Sequence, residues 1–257
     1  MHEMTEGGGL WGGRLFAFAA LGSTNTWALE HLAELRHGDV VWARCQTAGR
    51  GRFKREWRTP DDTCLTLSVL LRADDGTGLT ANLGQIAALA VADMLAGVGL
   101  EAAVKWPNDV MVGDAKIAGI LLERRSDAEL VVLGIGVNVN MSPAQTESLR
   151  IGRPATAMAS EAGRSFELDS VRAALLRRLA ETVAAFRAEG PAFLLDRWYA
   201  RDWLAGRRIE AHAADGVTRG RYIGLAPDGS IRILDKHGVE HAVWSADIER
   251  ICDFGAT

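Results

Sequence analysis

The turn chemistry of this chain changes at Trp203, and the change limits the folds open to it. Beyond that point four short runs, 207–213, 218–225, 230–234 and 240–244, have the length and residue types of strands. Asp215-Gly216, Asp228-Gly229 and His237-Gly238 separate them, and dipeptides of this kind close hairpins. The last fifty or so residues therefore predict a small antiparallel barrel. Ahead of Trp203 the punctuation is sparser and the periods are longer. Residues 80–98 have a polar start and an Ala/Leu/Val interior, with Gly97 and Gly99 at the end. In 169–189, Val171, Leu175, Leu179, Val183 and Phe186 recur at helical spacing.

Strands are predicted at 15–18, 40–44, 65–71, 102–105, 116–123 and 130–137, with 108–114 as a turn region between two of them. Ser23-Thr24-Asn25 suits a helix N-cap, and a helix should run from there to about Arg36, with Gly38 as its stop. The fold class that results is α/β (α+β), a mixed central β-sheet flanked by helices and followed by the small barrel. The expected organisation is a flexible terminus over 1–13, a main domain over 14–203 and a barrel domain over 204–257, divided near Leu204–Gly206.

Composition excludes several functions. With 257 residues, 48% of them hydrophobic and 24% charged, the chain can bury a core and is not disordered. A net charge of −4 excludes a globally basic polyanion binder, so nucleic acid would need a local patch. No apolar run reaches bilayer-spanning length, and 1–13 has neither the basic start nor the apolar core of a secretory signal. The three cysteines, Cys45, Cys64 and Cys252, form no CxxC pair and read as buried thiols of a reducing cytoplasm. The six histidines have no metal-ligand spacing, and no metal site is expected from protein residues.

Four segments carry chemistry. The first, running from Gln46 to Trp57 and on to Arg58, packs Arg50, Arg52, Lys54, Arg55 and Arg58 around Gly49 and Gly51. Forked guanidinium groups on a backbone that can wrap closely suit an anion; a nucleic-acid arm and a solvated charge run are the alternatives. In the second, Lys105-Trp-Pro-Asn-Asp-Val110, a lysine ends an apolar strand, where it either faces an anion or snorkels outward beside Trp106. In the third, Lys116-Ile-Ala-Gly-Ile-Leu-Leu-Glu123, small residues interrupt a strand, which fits close approach of a ligand or simple packing. In the fourth, Gly134-Ile-Gly-Val-Asn-Val-Asn140, Asn at a strand end can offer both donor and acceptor to a planar heterocycle, and no dinucleotide fingerprint is present.

Taken in order, Ser23-Thr-Asn25, QTAGRGR, KWPNDV, KIAGILLE and GIGVNVN resemble the biotin protein ligases, closely over about 14–140 and more weakly in the terminal barrel. That resemblance implies a two-step activity. Biotin and ATP, with Mg2+, give biotinyl-5′-AMP and pyrophosphate; the acyl group then passes to one lysine of a biotin carboxyl carrier protein, the protein partner. It implies Lys105, Arg50 and Arg52 as catalytic cations. It implies a biotin site from Ser23, Thr24, Asn25, Gln46, Gly49, Arg50, Gly51, Arg52, Lys105, Ala118, Gly119 and Ile120, and an ATP site from Arg52, Trp57, Lys105 and Asn138. Asp109 ranks below these, near the metal or bracing Lys105. Asp61-Asp62 fills a stretch where many relatives carry Gly. About twenty residues precede Ser23, too few for the winged-helix domain some relatives have, so no DNA binding is expected. A cytoplasmic location, no membrane association and a homodimer are compatible with this reading. Lipoate or octanoate ligases and transferases of related fold form the main rival; a nucleic-acid module built on Arg50–Arg58 and the barrel is the second.

Overall fold

The computed structural model describes residues 2–60, 62–73, 76–148 and 154–250. Along the chain run β1 (His2–Thr5), β2 (Leu15–Leu21), α1 (Thr24–Glu30), β3 (Val40–Gln46), β4 (Cys64–Arg72), α2 (Leu79–Ala96), β5 (Ala103–Lys105), β6 (Asp109–Val112), β7 (Ala115–Arg124) and β8 (Leu130–Asn138). They are followed by α3 (Pro143–Ser148), α4 (Met158–Ala162), α5 (Leu168–Glu189), α6 (Pro191–Tyr199), β9 (Arg208–Ala213), β10 (Gly216–Leu225), β11 (Ile231–Leu234), β12 (Glu240–Val243) and β13 (Asp247–Arg250).

The first eight strands form one mixed sheet in the order β1-β2-β3-β4-β8-β7-β6-β5. Only β2 and β3 pair in parallel, joined by α1 as a crossover; every other described ladder is antiparallel. The strands alternate as a sheet with two different faces requires. Odd-numbered residues of β4 (Leu65, Leu67, Val69, Leu71) and of β8 (Val131, Leu133, Ile135, Val137) join the main core with α2 and α5. Toward the opposite face, α1 and its flanks build a second cluster of Phe16, Ala28, Leu35, Val41, Leu70 and Val132.

The final five strands form an antiparallel sheet in the order β12-β11-β10-β9-β13. This is the small antiparallel unit expected, and its end strands β12 and β13 share no ladder among the described residues. Its buried Ile209, Ala211, Tyr222, Ile231, Ile233, Ala246 and Ile248 belong to the same core as the large sheet. At the junction, burial pushes the Asp202 carboxyl up, and burial and then the neighbouring carboxyl raise the Tyr222 phenol, whose hydroxyl donates to Asp202 Oδ2 at 2.5 Å.

Several expectations need correction. Residues 2–13 are not a loose end: β1 pairs with β2, and Leu10 is buried. Here glycine serves close packing, because a Cβ at Gly13 would strike the Gly38 carbonyl. The helix after Ser23 stops at Glu30 rather than Arg36, with His31 as its C-cap stacked on the Trp27 indole. The 108–114 turn region contains a strand, β6, whose Val110 and Met111 are buried. The strand β13 and the helix α6 add to the predicted elements. By length and composition α2 could cross a membrane, contrary to the expectation, but 72% of it is buried inside the fold. Trp244 is 65% exposed. Cys64 is buried, Cys45 is half-buried and Cys252 lies outside the described residues.

Candidate functional site

A cavity of about 750 Å3 opens on the sheet face opposite α2 and α5. The alternation of β8 produces it. While its odd residues fill the core, Gly134, Gly136 and Asn138 point to the cavity. The glycines are required by what lies on them. A Cβ at Gly136 would sit 2.5 Å from Cε2 of Trp57, and one at Gly134 would run into the Asn25 side chain. The Trp57 indole thus rests on bare backbone, also 3.1 Å from where a Cβ of Gly119 would be.

One end of the cavity is a buried polar network. Ser23, extended at φ −154° and ψ 134°, caps α1 by accepting from the Thr26 amide at 3.4 Å. This turns Thr24 and Asn25 inward. Gln46 Oε1 accepts from the Thr24 amide at 2.8 Å and from its hydroxyl at 3.2 Å. Ser68 Oγ stands 2.8 Å from Thr24 Oγ1 and 2.6 Å from Asn25 Oδ1. A hydroxyl has one proton and Asn25 Oδ1 can only accept, so Ser68 donates to Asn25. Asn25 Nδ2 in turn donates to the Leu121 carbonyl at 3.2 Å and to Glu123 Oε2 at 2.9 Å. Ser23, Thr24, Asn25 and Ser68 are all buried, so their positions are set before anything binds.

The other end is cationic and is built on a hairpin. Bridges Gln46–Thr59 and Arg50–Glu56, with Trp57 N donating to Gly49 O at 2.8 Å and Gly51 N to Arg55 O at 2.7 Å, fold 46–59 back on itself. A Cβ at Gly49 would collide with the Trp57 carbonyl, so the hairpin needs a glycine there. At the tip, a turn over Arg52–Lys54 holds Phe53 at φ 53° and leaves it 54% exposed. Asp62, beyond the hairpin, takes φ 52°, a conformation that glycine adopts freely and Asp tolerates.

Six cations line the cavity: Arg50, Arg52, Arg55, Arg58, Lys105 and Lys116. Arg50 donates to Glu123 Oε2 at 2.7 Å, which ties the hairpin to the Asn25 network. Arg52 donates to Ser245 Oγ at 2.8 Å and to the Ala246 carbonyl at 3.3 Å. Burial draws the Arg52 guanidinium below its ordinary pKa, and Asp247 and Asp109 pull it back; a guanidinium so placed stays charged. Lys105 is only 2% exposed. Its Nζ lies 4.9 Å over the Trp203 ring and donates at 3.5 Å to the Ile248 carbonyl, with no carboxylate within 4.0 Å among the described residues. Lys116 pairs with Asp109 Oδ1 at 2.5 Å, and its Nζ is 5.5 Å from the Trp57 ring.

Asn138 also lines the cavity, but its amide is engaged: Nδ2 donates to the Thr156 carbonyl at 2.9 Å. Its Oδ1 faces the Cys64 thiol at 3.9 Å, and burial pushes that thiol up to about 12, so it is neutral. Among the described residues no group of three His, Cys, Asp or Glu side chains could hold a metal ion.

The structure therefore gathers Ser23, Thr24, Asn25, Gln46, Arg50, Gly51, Arg52, Trp57, Lys105, Gly119, Ile120 and Asn138 around one cavity. Two expected residues stand apart. Ala118 is buried in the core, and Gly49 lines the outer side of the hairpin rather than the cavity. The cause for Ala118 is a bulge. Met111 pairs with Lys116 while Val110 pairs with Ala118, so Ile117 is an extra residue in β7. Lys116 and Gly119 thereby come to the same side and Ala118 goes inward. Sequence reasoning overlooked Lys116 as a site residue, although it quoted the segment; it overlooked Ser68, Glu123 and 245–249 as well. The spacing Lys–small–Gly was the available signal, but a bulge leaves no mark in a single sequence.

Comparison with known proteins follows this geometry. Residues 17–140 match the biotin/lipoate A/B protein ligase family. The bifunctional ligase/repressor BirA of Escherichia coli is 31% identical over 236 residues, spanning 90% of this chain and 72% of that protein. The biotin–[acetyl-CoA-carboxylase] ligase of Paracoccus denitrificans is 32% identical over 215 residues, spanning 81% of this chain and 89% of that one. The biotin protein ligase of Aquifex aeolicus in complex with biotin and ATP superimposes with a TM-score of 0.78 at 25% identity, covering 93% of this chain and 99% of that one.

Proposed function

Because the chain belongs to the biotin protein ligases, we propose that its cavity binds biotin and ATP end to end, activates the acid and passes it to a carrier lysine. In the first step a biotin carboxylate oxygen bonds to the α-phosphorus while the bond to pyrophosphate breaks, leaving biotinyl-5′-AMP. In the second, the neutral amine of an acceptor lysine attacks the acyl carbon, AMP leaves, and the amine loses its proton to solvent. The acceptor fits a biotin carboxyl carrier domain of an acetyl-CoA carboxylase, the kind of enzyme named for the Paracoccus relative.

The observation that carries this reading is the division of the cavity. A neutral, prearranged polar end suits the ureido head of biotin, with Thr24 and Gln46 foremost. A cationic end suits the place where a carboxylate meets a phosphate, two anions whose approach needs fixed positive charge. Biotin's carboxylate is ionised at neutral pH, so the step needs no general base. Lys116 is the best-placed ammonium, since it is held by Asp109 and reaches into the cavity. Lys105, Arg50 and Arg52 add to the field. Trp57, packed on Gly119 and Gly136, offers an indole for the adenine to rest against, and Asn138 an amide oxygen in the same cavity. Among the described residues no three His, Cys, Asp or Glu side chains converge to hold Mg2+ by themselves, so the metal would come on the nucleotide.

Incubation with biotin, MgATP and a carrier domain should give a biotinylated lysine and biotin-dependent ATP–pyrophosphate exchange. Absence of both overturns the proposal. Faster transfer of lipoate than of biotin would favour the lipoate ligases of the same broad family.

A further inference from the structure

The arginine hairpin is fixed at its base by its own bridges and by Arg50 on Glu123. Its tip is held differently. The two guanidinium groups nearest the tip both reach across to one segment of the small sheet, the connection from β12 into β13. Arg52 donates to Ser245 Oγ and the Ala246 carbonyl, and Arg55 forms an ion pair with Asp247 Oδ2. The receiving segment alternates and is anchored by its inward residues. Ala246 and Ile248 are buried in the common core, while Ser245 and Asp247 turn toward the hairpin. The same segment lines the cavity through Asp247, Ile248 and Glu249, and its Ile248 carbonyl accepts from Lys105.

On the ligase reading given above, we propose that Asp247, seconded by Ser245, is a positioning residue that latches the arginine hairpin over the cavity and so retains the activated acid between the two steps. The small sheet is then one jaw of the active site. A mixed anhydride hydrolyses in water and must wait for its acceptor, so a closure that excludes solvent serves the second step. The pair Arg55–Asp247 is partly solvated, with side chains 64% and 32% exposed. A pair of that kind holds weakly and lets the hairpin open to admit substrates and the carrier lysine. Its charge also makes the closure sensitive to salt.

The test uses the whole chain with Asp247→Asn, Asp247→Glu and Ser245→Ala, and Asp235→Asn as a control that alters a contact with His241 elsewhere in the small sheet. Two readouts are taken. Trypsin cleavage within 50–58 reports hairpin opening without any ligand, and the rate at which preformed biotinyl-AMP leaves the protein reports retention. Asp247→Asn should speed both, release by about two- to fivefold, the scale of one exposed charge pair. Ser245→Ala should do so more weakly, Asp247→Glu should restore slow release, and the control should match the parent. Added salt should hasten release from the parent by a larger factor than from Asp247→Asn. Unchanged cleavage and release in Asp247→Asn, or equal loosening in the control, overturns the latch. A parent chain that forms no biotinyl-AMP while Asp247→Asn still opens the hairpin to trypsin refutes the ligase reading and leaves the latch standing.

Discussion

The two ends of the cavity are built on opposite principles. At the polar end Ser23, Thr24, Asn25 and Ser68 are buried and Gln46 half-buried, each on a strand or at a helix N-terminus, with hydrogen bonds made within the protein. At the cationic end Lys105 and Lys116 stand on β5 and β7, but the arginines ride on a hairpin whose tip is solvated and reaches across to another sheet. A preformed site recognises a small neutral head at little reorganisation cost. A hinged set of charges cannot be as selective, but it can open for a second substrate and close around the reactive product. Binding specificity therefore belongs to the first end and retention to the second.

Substitutions at the two ends should fail in different ways. The largest effect is expected where charge develops. Lys116→Ala should lower biotinyl-AMP formation by ~10²-fold or more in single-turnover assays, and Lys105→Ala should also lose about that much. If Lys116→Ala turned over normally while Lys105→Ala did not, Lys105 rather than Lys116 would be the working ammonium. At the polar end, Ser68→Ala unpairs Asn25 Oδ1. It should raise the KM for biotin by about tenfold with kcat nearly intact, the signature of lost uniform binding. A fall in kcat alone would contradict a pure recognition role. On the hairpin, Arg52→Ala should shorten the lifetime of bound biotinyl-AMP severalfold, the scale of lost charge-assisted hydrogen bonds, while leaving the KM for biotin within about threefold. Equal lifetimes in variant and parent would remove its closing role.

The smallest effect on catalysis is expected at Asp39, away from the cavity, where the frame of the polar end is set. Burial pushes this carboxyl up, but hydrogen bonds from the Arg14 side chain and from the Arg14 and Arg36 amides hold it below the usual carboxylate range. A depressed native pKa gives stability that is present above the unfolded-state value near ~4 and is lost as pH falls through the native one. Asp39→Asn should cost about 2–3 kcal/mol at pH 7 by urea unfolding and flatten the decline in stability below about pH 4. An unchanged acid limb would show that the pair does not act as assigned.

Much of this was legible in the sequence, for reasons visible in particular residues. The β8 motif could be read because strict alternation separates Val131, Leu133, Ile135 and Val137 from Gly134, Gly136 and Asn138. The hairpin turns of the small sheet were legible because Asp-Gly dipeptides are local signals. What was hidden depends on distant partners. Ala118 was placed in the pocket and Lys116 left out because the bulge at Ile117 reverses the faces, and a bulge is a property of the β6–β7 pair. The Gly-rich 7–13 segment looked loose, although Gly13 is small so that it can lie against Gly38. The bond from Arg52 to Ser245 joins residues far apart in sequence, and no local pattern announces it.

The measurement that bears most directly on the whole account is a crystal structure of the chain with biotinyl-AMP. The account predicts the ureido ring against Thr24 and Gln46, the phosphate between the arginine hairpin and Lys116, and the adenine beside Trp57. A ligand lying elsewhere, or these cations turned to separate surfaces around it, would contradict it.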